Sequence, residues 1–207
     1  MKRILNYLGQ LRIYSLVDLA LFVYVAGARG QTFFGAIVLW TGFLAYLESQ
    51  HGHTYRAKMP RGLWVILVLF GLILFGRIEG LGFVVASYLY TLKNKKNYGI
   101  FAPFFRGVQN FLLVGGVTGY ISVLPWLVLF LIVIRNILGD IRDAGKDAKE
   151  GMKTLPIILG WNKNVPVVHL VGILGTTYVA WHYSQFGPSF LFFMWAIQLI
   201  TYNLTPR

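Results

Sequence analysis

Residues 139–156 read GDIRDAGKDAKEGMKTLP, and four of the chain's seven acidic residues lie there: Asp140, Asp143, Asp147 and Glu150. Asp140, Asp143 and Asp147 are spaced i, i+3 and i+7, positions that share one face of a helix. Carboxylates are hard oxygen ligands, and Mg2+ is held through one or two of them together with substrate phosphates and retained water. Clustered carboxylates repel one another unless a cation sits between them. Lys146, Lys149 and Lys153 add positive charge that would neutralise further phosphate. Gly151 and then Thr154-Leu155-Pro156 close the segment. The bland alternative is a solvated amphipathic loop whose acids balance its lysines. The helical phase and the scarcity of acid elsewhere favour the metal-binding reading.

The elements that must position these residues are set by a membrane. The chain has 207 residues, 57% hydrophobic and 13% charged, with net charge +12. Soluble domains carry about 25% charged residues, so this composition indicates an integral membrane protein. It has no cysteine, which excludes a disulfide framework, a thiolate nucleophile and a cysteine metal site. A helix crossing a bilayer needs about 20 mostly apolar residues. Eight candidate spans are predicted, at 13–28, 31–47, 63–76, 81–92, 107–121, 124–138, 165–182 and 187–204. Arg77, Glu79 and Gly80 interrupt the apolar run 62–92, so a surface turn is expected there, since charge at mid-membrane is costly. The basic N-terminal stretch enters an apolar run with no small-residue cleavage site, so the first span is expected to be retained. A single domain over 1–207 is expected.

The basic residues orient the bundle. With the N-terminus in the cytoplasm and the spans alternating, only Arg29 and Arg77 fall outside, leaving 17 of the 19 Lys and Arg on the cytoplasmic side. This is the asymmetry that the positive-inside rule demands. Both termini and the acidic segment then face the cytoplasm, in what is expected to be a prokaryotic cell membrane. No basic strip with nucleic-acid motif spacing is present, and no nucleic-acid partner is expected. Three longer cytoplasmic segments remain, 48–62, 93–106 and 139–164, and chemistry is expected at that face.

The pattern D-x-x-D-x-x-x-D followed by G-x-x-T-L-P resembles the second aspartate-rich motif of the UbiA superfamily of intramembrane prenyltransferases. Asp140, Asp143, Asp147, Gly151, Thr154, Leu155 and Pro156 all match it. Weaker likenesses fall in the same order along the chain. They are Leu11-Arg12 at the first span, Tyr90-Thr91-Leu92-Lys93 leaving the fourth, and Asn110 with Gly115-Gly116 in the fifth. The resemblance runs from about residue 10 to about 180. It implies an all-α bundle around a central cavity, usually of nine spans, so this chain counts one short. It also implies transfer of an isoprenoid chain from a prenyl diphosphate to an aromatic or other lipid-forming acceptor, with Mg2+ bridging aspartates of two motifs to the diphosphate.

The first of those motifs is eroded here. Where the family has N-D-x-x-D-x-x-x-D, this chain has LAYLESQHGHTYRAKMPRG. In one register Glu48 takes the place of the second aspartate and Gly52 the third. In another, Glu48 takes the first and His51 the second. Glu48 is the surviving carboxylate in both. His51 shares a helical face with it, but imidazole suits Mg2+ poorly, and His51 and His53 are better read as interfacial polar residues.

The resemblance implies roles residue by residue. Asp140, Asp143 and Asp147 would bind Mg2+ with Glu48 as partner; Lys93 and Arg56, with Arg61 an alternative, would hold the diphosphate. The resulting allylic cation would be shielded by the bundle and attracted to aromatic faces, but aromatic residues also form interfacial belts, and none of the 34 is assigned. Apart from the resemblance, Asp18, about two turns into the first span, is an ionisable group that would contact an acceptor hydroxyl, or else be a buried acid hydrogen-bonded between helices or one still near the headgroups. Asn110 would orient the diphosphate or a basic residue, or bond across helices. His169 is expected to pack.

Other classes stay open. A CDP-alcohol phosphotransferase would open with D-G-x-x-A-R, which Asp143-Ala144-Gly145 does not supply. A small transporter should hold its ionisable residues near mid-membrane, whereas nearly all of these lie at one surface. A catalytically impaired, UbiA-like protein that binds prenyl lipids is favoured by the eroded first motif.

Overall fold

The computed structural model describes residues 13–50, 60, 62–94, 98–161, 167–183, 187–189, 191–192 and 195–196. Among them the regular structure is entirely helical. The helices are α1 (Ile13–Val25), α2 (Gly30–Ser49), α3 (Leu63–Phe75), α4 (Glu79–Thr91), α5 (Ala102–Thr118), α6 (Val123–Lys149), α7 (Leu155–Ile158) and α8 (Val167–Tyr183), with 3-10 turns at Leu92–Asn94 and Gly99–Phe101. Seven of the eight expected spans fall on described helices, and residues 188–189, 191–192 and 195–196 of the eighth are helical. Gly30–Ser49, Gly99–Thr118 and Val123–Lys149 are long and apolar enough to cross a membrane, while α3 is apolar but only 13 residues long. At 1.5 Å per residue α3 reaches about 20 Å, short of the roughly 30 Å hydrocarbon layer. Its end is set by Gly76, left-handed at φ 64°, whose N–H donates to the Leu72 carbonyl at 3.0 Å.

The chain divides into two compact units, Met1–Gly80 with Val179–Arg207, and Leu81–Tyr178. In the first unit α2 and α3 pack along glycines. A Cβ on Gly71 would lie 2.8 Å from the Leu39 side chain, one on Gly42 3.0 Å from Val68, and one on Gly35 would run into the Phe75 backbone. Apolar side chains gain little by leaving lipid for protein, so small residues that let backbones close up supply the packing energy. Leu19, Phe22, Leu39, Trp40, Phe43 and Phe75 are buried here, and Trp40 Nε1 donates to Ser15 Oγ on α1 at 3.4 Å.

The second unit is built on α5 against α6. A Cβ on Gly107 would sit 2.6 Å from Val133 and 2.9 Å from the Leu129 carbonyl. Gly82 of α4 abuts Leu112 of α5, and Gly175 of α8 abuts Leu131 of α6. Ser122 caps α6, accepting from the Leu124 N–H at 3.4 Å. The apolar stretch of α6 ends at residue 138, and the helix then runs unbroken through the aspartates to Lys149. That last part carries the charged residues and follows the stretch 124–138 expected to span the membrane. Lys146 and Lys149 in its final turn suit the negative end of the helix dipole.

Candidate active site

Asp140 and Asp147 lie seven residues apart on α6, two turns, so they differ by only about 20° around the axis. Both are buried, with 5% and 4% of their surface exposed. Asp143 sits about 60° from Asp140, at 3.6 residues per turn. Its side chain is 35% exposed, and its two carboxylate oxygens accept from Arg142 at 2.6 and 2.5 Å. The spacing puts all three on one face. The structure buries the first and last, and it turns the middle one to the shoulder of the helix, beside an arginine.

Lys93, on the 3-10 turn that leaves α4, brings its Nζ to 3.4 Å from Asp140 Oδ1. The same ammonium is 5.8 Å from the centre of the Tyr90 ring, and the Arg106 guanidinium is 5.4 Å from that ring. Two cations therefore lie within range of cation–π attraction to one aromatic ring. Burial pushes the Asp147 carboxyl up to about 6, against the lowering influence of Lys93 and with Asp140, Asp143 and Glu150 adding to the rise. A nearby cation would favour its ionised form.

The end of α6 fixes the course of residues 151–156. Gly151, left-handed at φ 70°, donates its N–H to the Ala148 carbonyl at 3.1 Å, and Met152 N–H donates to the Asp147 carbonyl at 2.9 Å. This is the paired Schellman closure, which favours glycine at the left-handed position. The chain turns back at the last aspartate and runs into Thr154, fully buried, ahead of α7. Gly99 packs on this bend: a Cβ there would lie 2.6 Å from the Lys153 carbonyl and 3.3 Å from Thr154 Cγ2. Lys153 itself is exposed.

Of the other expected site residues, those described fall in one unit or the other. Asn110 is buried on α5, its Nδ2 donating to the Arg106 carbonyl one turn back at 3.0 Å. Asp18 on α1 and Glu48 at the end of α2 are both buried, in the first unit. Arg56, Arg61, His51, Gly52, His53 and Leu11-Arg12 lie outside the described residues, as does the side chain of His169. One polar chain was not anticipated from the sequence: Arg106 Nη1 donates to Gln109 Oε1 at 3.2 Å, and Gln109 Nε2 donates to Ser87 Oγ at 2.7 Å. All three residues are buried. The signal was available, because Arg106, Gln109 and Asn110 at i, i+3 and i+4 form a polar stripe on an otherwise apolar helix.

Residues for a cation are present in this second unit. Asp140 Oδ2 and Asp147 Oδ2 are buried with no hydrogen-bond partner. Such oxygens are costly unless something positive satisfies them, and as hard donors they suit Mg2+. Among the described residues no three His, Cys, Asp or Glu side chains form a closed metal-holding group. That is compatible with an ion that takes one or two carboxylates and draws its other ligands from phosphate and water.

No protein-family model and no curated protein matches this chain. Two solved structures share its fold. One comes from work on the biosynthesis of digeranylgeranylglyceryl phosphate synthase in membranes; it aligns with a TM-score of 0.56 and 19% identity, over 99% of this chain and 87% of that one. The other is a UbiA homolog from Archaeoglobus fulgidus bound to GPP and Mg2+, with a TM-score of 0.54 and 14% identity, over 97% and 86%. The fold is that of the UbiA-type membrane prenyltransferases. With its apolar helices, this makes the chain an integral membrane protein.

Proposed function

We propose that this protein is a Mg2+-dependent intramembrane prenyltransferase. It would move an isoprenoid chain from a prenyl diphosphate to an aromatic or other lipid-forming acceptor at the cytoplasmic face, with both termini on that side. The observation that carries this is the buried Asp140–Asp147 pair. Its two outer oxygens are unsatisfied, Lys93 stands beside it, and it sits on the helix end of a UbiA-type fold. The solved homolog that binds GPP and Mg2+ supports the choice of ligand.

In the reaction the bond between the prenyl C1 and the diphosphate oxygen breaks, and the diphosphate leaves with the electron pair. The acceptor then bonds to C1 and loses a proton. Mg2+, when bound, would neutralise charge on the departing diphosphate. Asp140 and Asp147 would hold it, with Asp143 at the rim and Glu48 as the candidate carboxylate from the eroded first motif. Lys93 would hold a diphosphate oxygen, with Arg56 and Lys153 as further candidate cations. Stabilising a charge that grows in the transition state is where such groups contribute most. Asp18 and Asn110 remain candidates for acceptor and diphosphate positioning.

The test is pyrophosphate release from GPP or longer prenyl diphosphates by the protein in nanodiscs, with Mg2+ and a panel of acceptors. Asp147→Ala and EDTA should each abolish it. Activity untouched by EDTA, by Asp140→Ala and by Asp147→Ala would overturn the metal assignment. The pairing of Asp143 with Arg142 favours one second reading, a prenyl-diphosphate binder without turnover. That protein would bind GPP with Mg2+ and release no pyrophosphate with any acceptor.

A further inference from the structure

Among the described residues, three buried side-chain atoms have no hydrogen-bond partner: Asp140 Oδ2, Asp147 Oδ2 and Thr154 Oγ1. All three fall within fifteen consecutive residues, 140–154. The two carboxylate oxygens are accounted for by a cation. The hydroxyl differs from them in carrying an O–H donor, which a cation does not satisfy and an acceptor oxygen would.

Thr154 is 0% exposed, so bulk solvent does not reach it. It stands at the start of α7 in extended conformation, φ −94° and ψ 159°, yet its side chain accepts no capping bond from that helix. A Thr at such a position ordinarily caps. Its place is fixed from two sides. The Schellman closure ties Met152 N–H to the Asp147 carbonyl, and Gly99 allows the segment after Lys93 to press on the Lys153 carbonyl and Thr154 Cγ2. A hydroxyl held this firmly and left without a partner is costly to the fold. A ligand that accepts hydrogen bonds next to the aspartates would remove that cost.

We infer that the Thr154 hydroxyl donates a hydrogen bond to an oxygen of the bound diphosphate, a donor complementary to the acceptor-only carboxylates. This rests on the prenyl-diphosphate reading of the site. Thr154 is thereby a substrate-positioning residue, and the buried face of the 151–156 bend belongs to the binding site.

Thr154→Val keeps the branched shape and removes the hydroxyl, while Thr154→Ser keeps the hydroxyl. Both are compared with wild type in nanodiscs by thermal-shift titration with GPP in the presence of Mg2+, and by the melting temperature without ligand. The expected result has three parts. Thr154→Val melts no lower than wild type, since an unsatisfied polar atom has gone. It needs about tenfold more GPP for half-saturation, the effect of one hydrogen bond to a charged group. Thr154→Ser stays close to wild type on both counts. The inference is overturned if Thr154→Val titrates like wild type, if Thr154→Ser fails as badly as Thr154→Val, or if Thr154→Val melts well below wild type, which would make the hydroxyl a support of the fold. Wild type that responds to neither GPP nor pyrophosphate would bring down the diphosphate reading itself, and this inference with it. A wild type that responds beside an indifferent Thr154→Val removes this inference alone.

Discussion

Lys93 Nζ stands 3.4 Å from Asp140 Oδ1, joining the turn after α4 to the helix that holds the aspartates, while the second oxygen of the same carboxylate is left unsatisfied. One oxygen of this carboxylate is paired within the protein and the other is buried without a partner. The arrangement makes the charge balance of the site readable by mutation.

Replacing Lys93 by Met removes that cation and leaves a buried carboxylate uncompensated. Loss of one partner of a buried pair costs about 3–5 kcal/mol. The melting temperature without metal should fall clearly, and saturating Mg2+ should restore much of it by supplying the missing charge. Prenyl transfer should remain lost even with Mg2+, because the diphosphate loses its ammonium contact. Melting curves with and without Mg2+, alongside pyrophosphate release, check both parts. A Lys93→Met protein as stable as wild type without metal would contradict the pairing.

Asp147 gives a pH dependence whose sign runs opposite to the usual carboxylate. Its pKa is about 6 in the folded protein, above the ordinary 3.8, so between those values the folded state binds the extra proton. The contribution of Asp147 to the stability of the metal-free protein should fall as pH rises from about 4 to about 6. Mg2+ competes with that proton, so its stabilising effect should be weak at pH 5 and strong at pH 7.5. Thermal melts across this range, with EDTA and with Mg2+, measure the crossing. Asp147→Asn isolates this group: a wild type whose stability relative to Asp147→Asn rose through the same window would refute the raised pKa of Asp147.

Gly151→Ala forces a side chain into the left-handed position that closes α6. The penalty is about 1 kcal/mol. The larger effect should be functional, because the Met152–Asp147 bond orients the bend that bears Thr154. A loss of prenyl transfer out of proportion to a small drop in melting temperature is expected. Parallel loss of both would mean that the turn serves stability alone.

Gln109→Leu cuts the buried chain from Arg106 to Ser87 at its middle. Removing a partner from buried polar groups costs about 1–3 kcal/mol each. The expected outcome is a lower melting temperature that Mg2+ does not rescue, which distinguishes this network from Lys93–Asp140. Gln109→Glu should recover part of the loss, since its carboxylate still accepts from Arg106. Rescue of Gln109→Leu by Mg2+ would instead link the network to the metal site.

The apolar runs by themselves determined that this is a helical membrane protein. A segment that exposes no polar side chain must satisfy its own backbone in lipid, and the helix is the way one segment does so. The interruption at Arg77 and Glu79 likewise marked the break between α3 and α4, and the i, i+7 spacing put Asp140 and Asp147 on one face through helical geometry alone. What only the tertiary structure decided is which of these groups is buried and what each one meets. Asp143 is offset by about 60° from Asp140, and its pairing with Arg142 holds it at the rim. Lys93 reaches Asp140 across 47 residues, and Thr154 is buried while its neighbour Lys153 is exposed. Periodicity fixes direction around one helix axis. Burial depends on which other segment arrives on that side, and here that was set by glycines such as Gly99 and Gly107, whose missing side chains let distant segments close together.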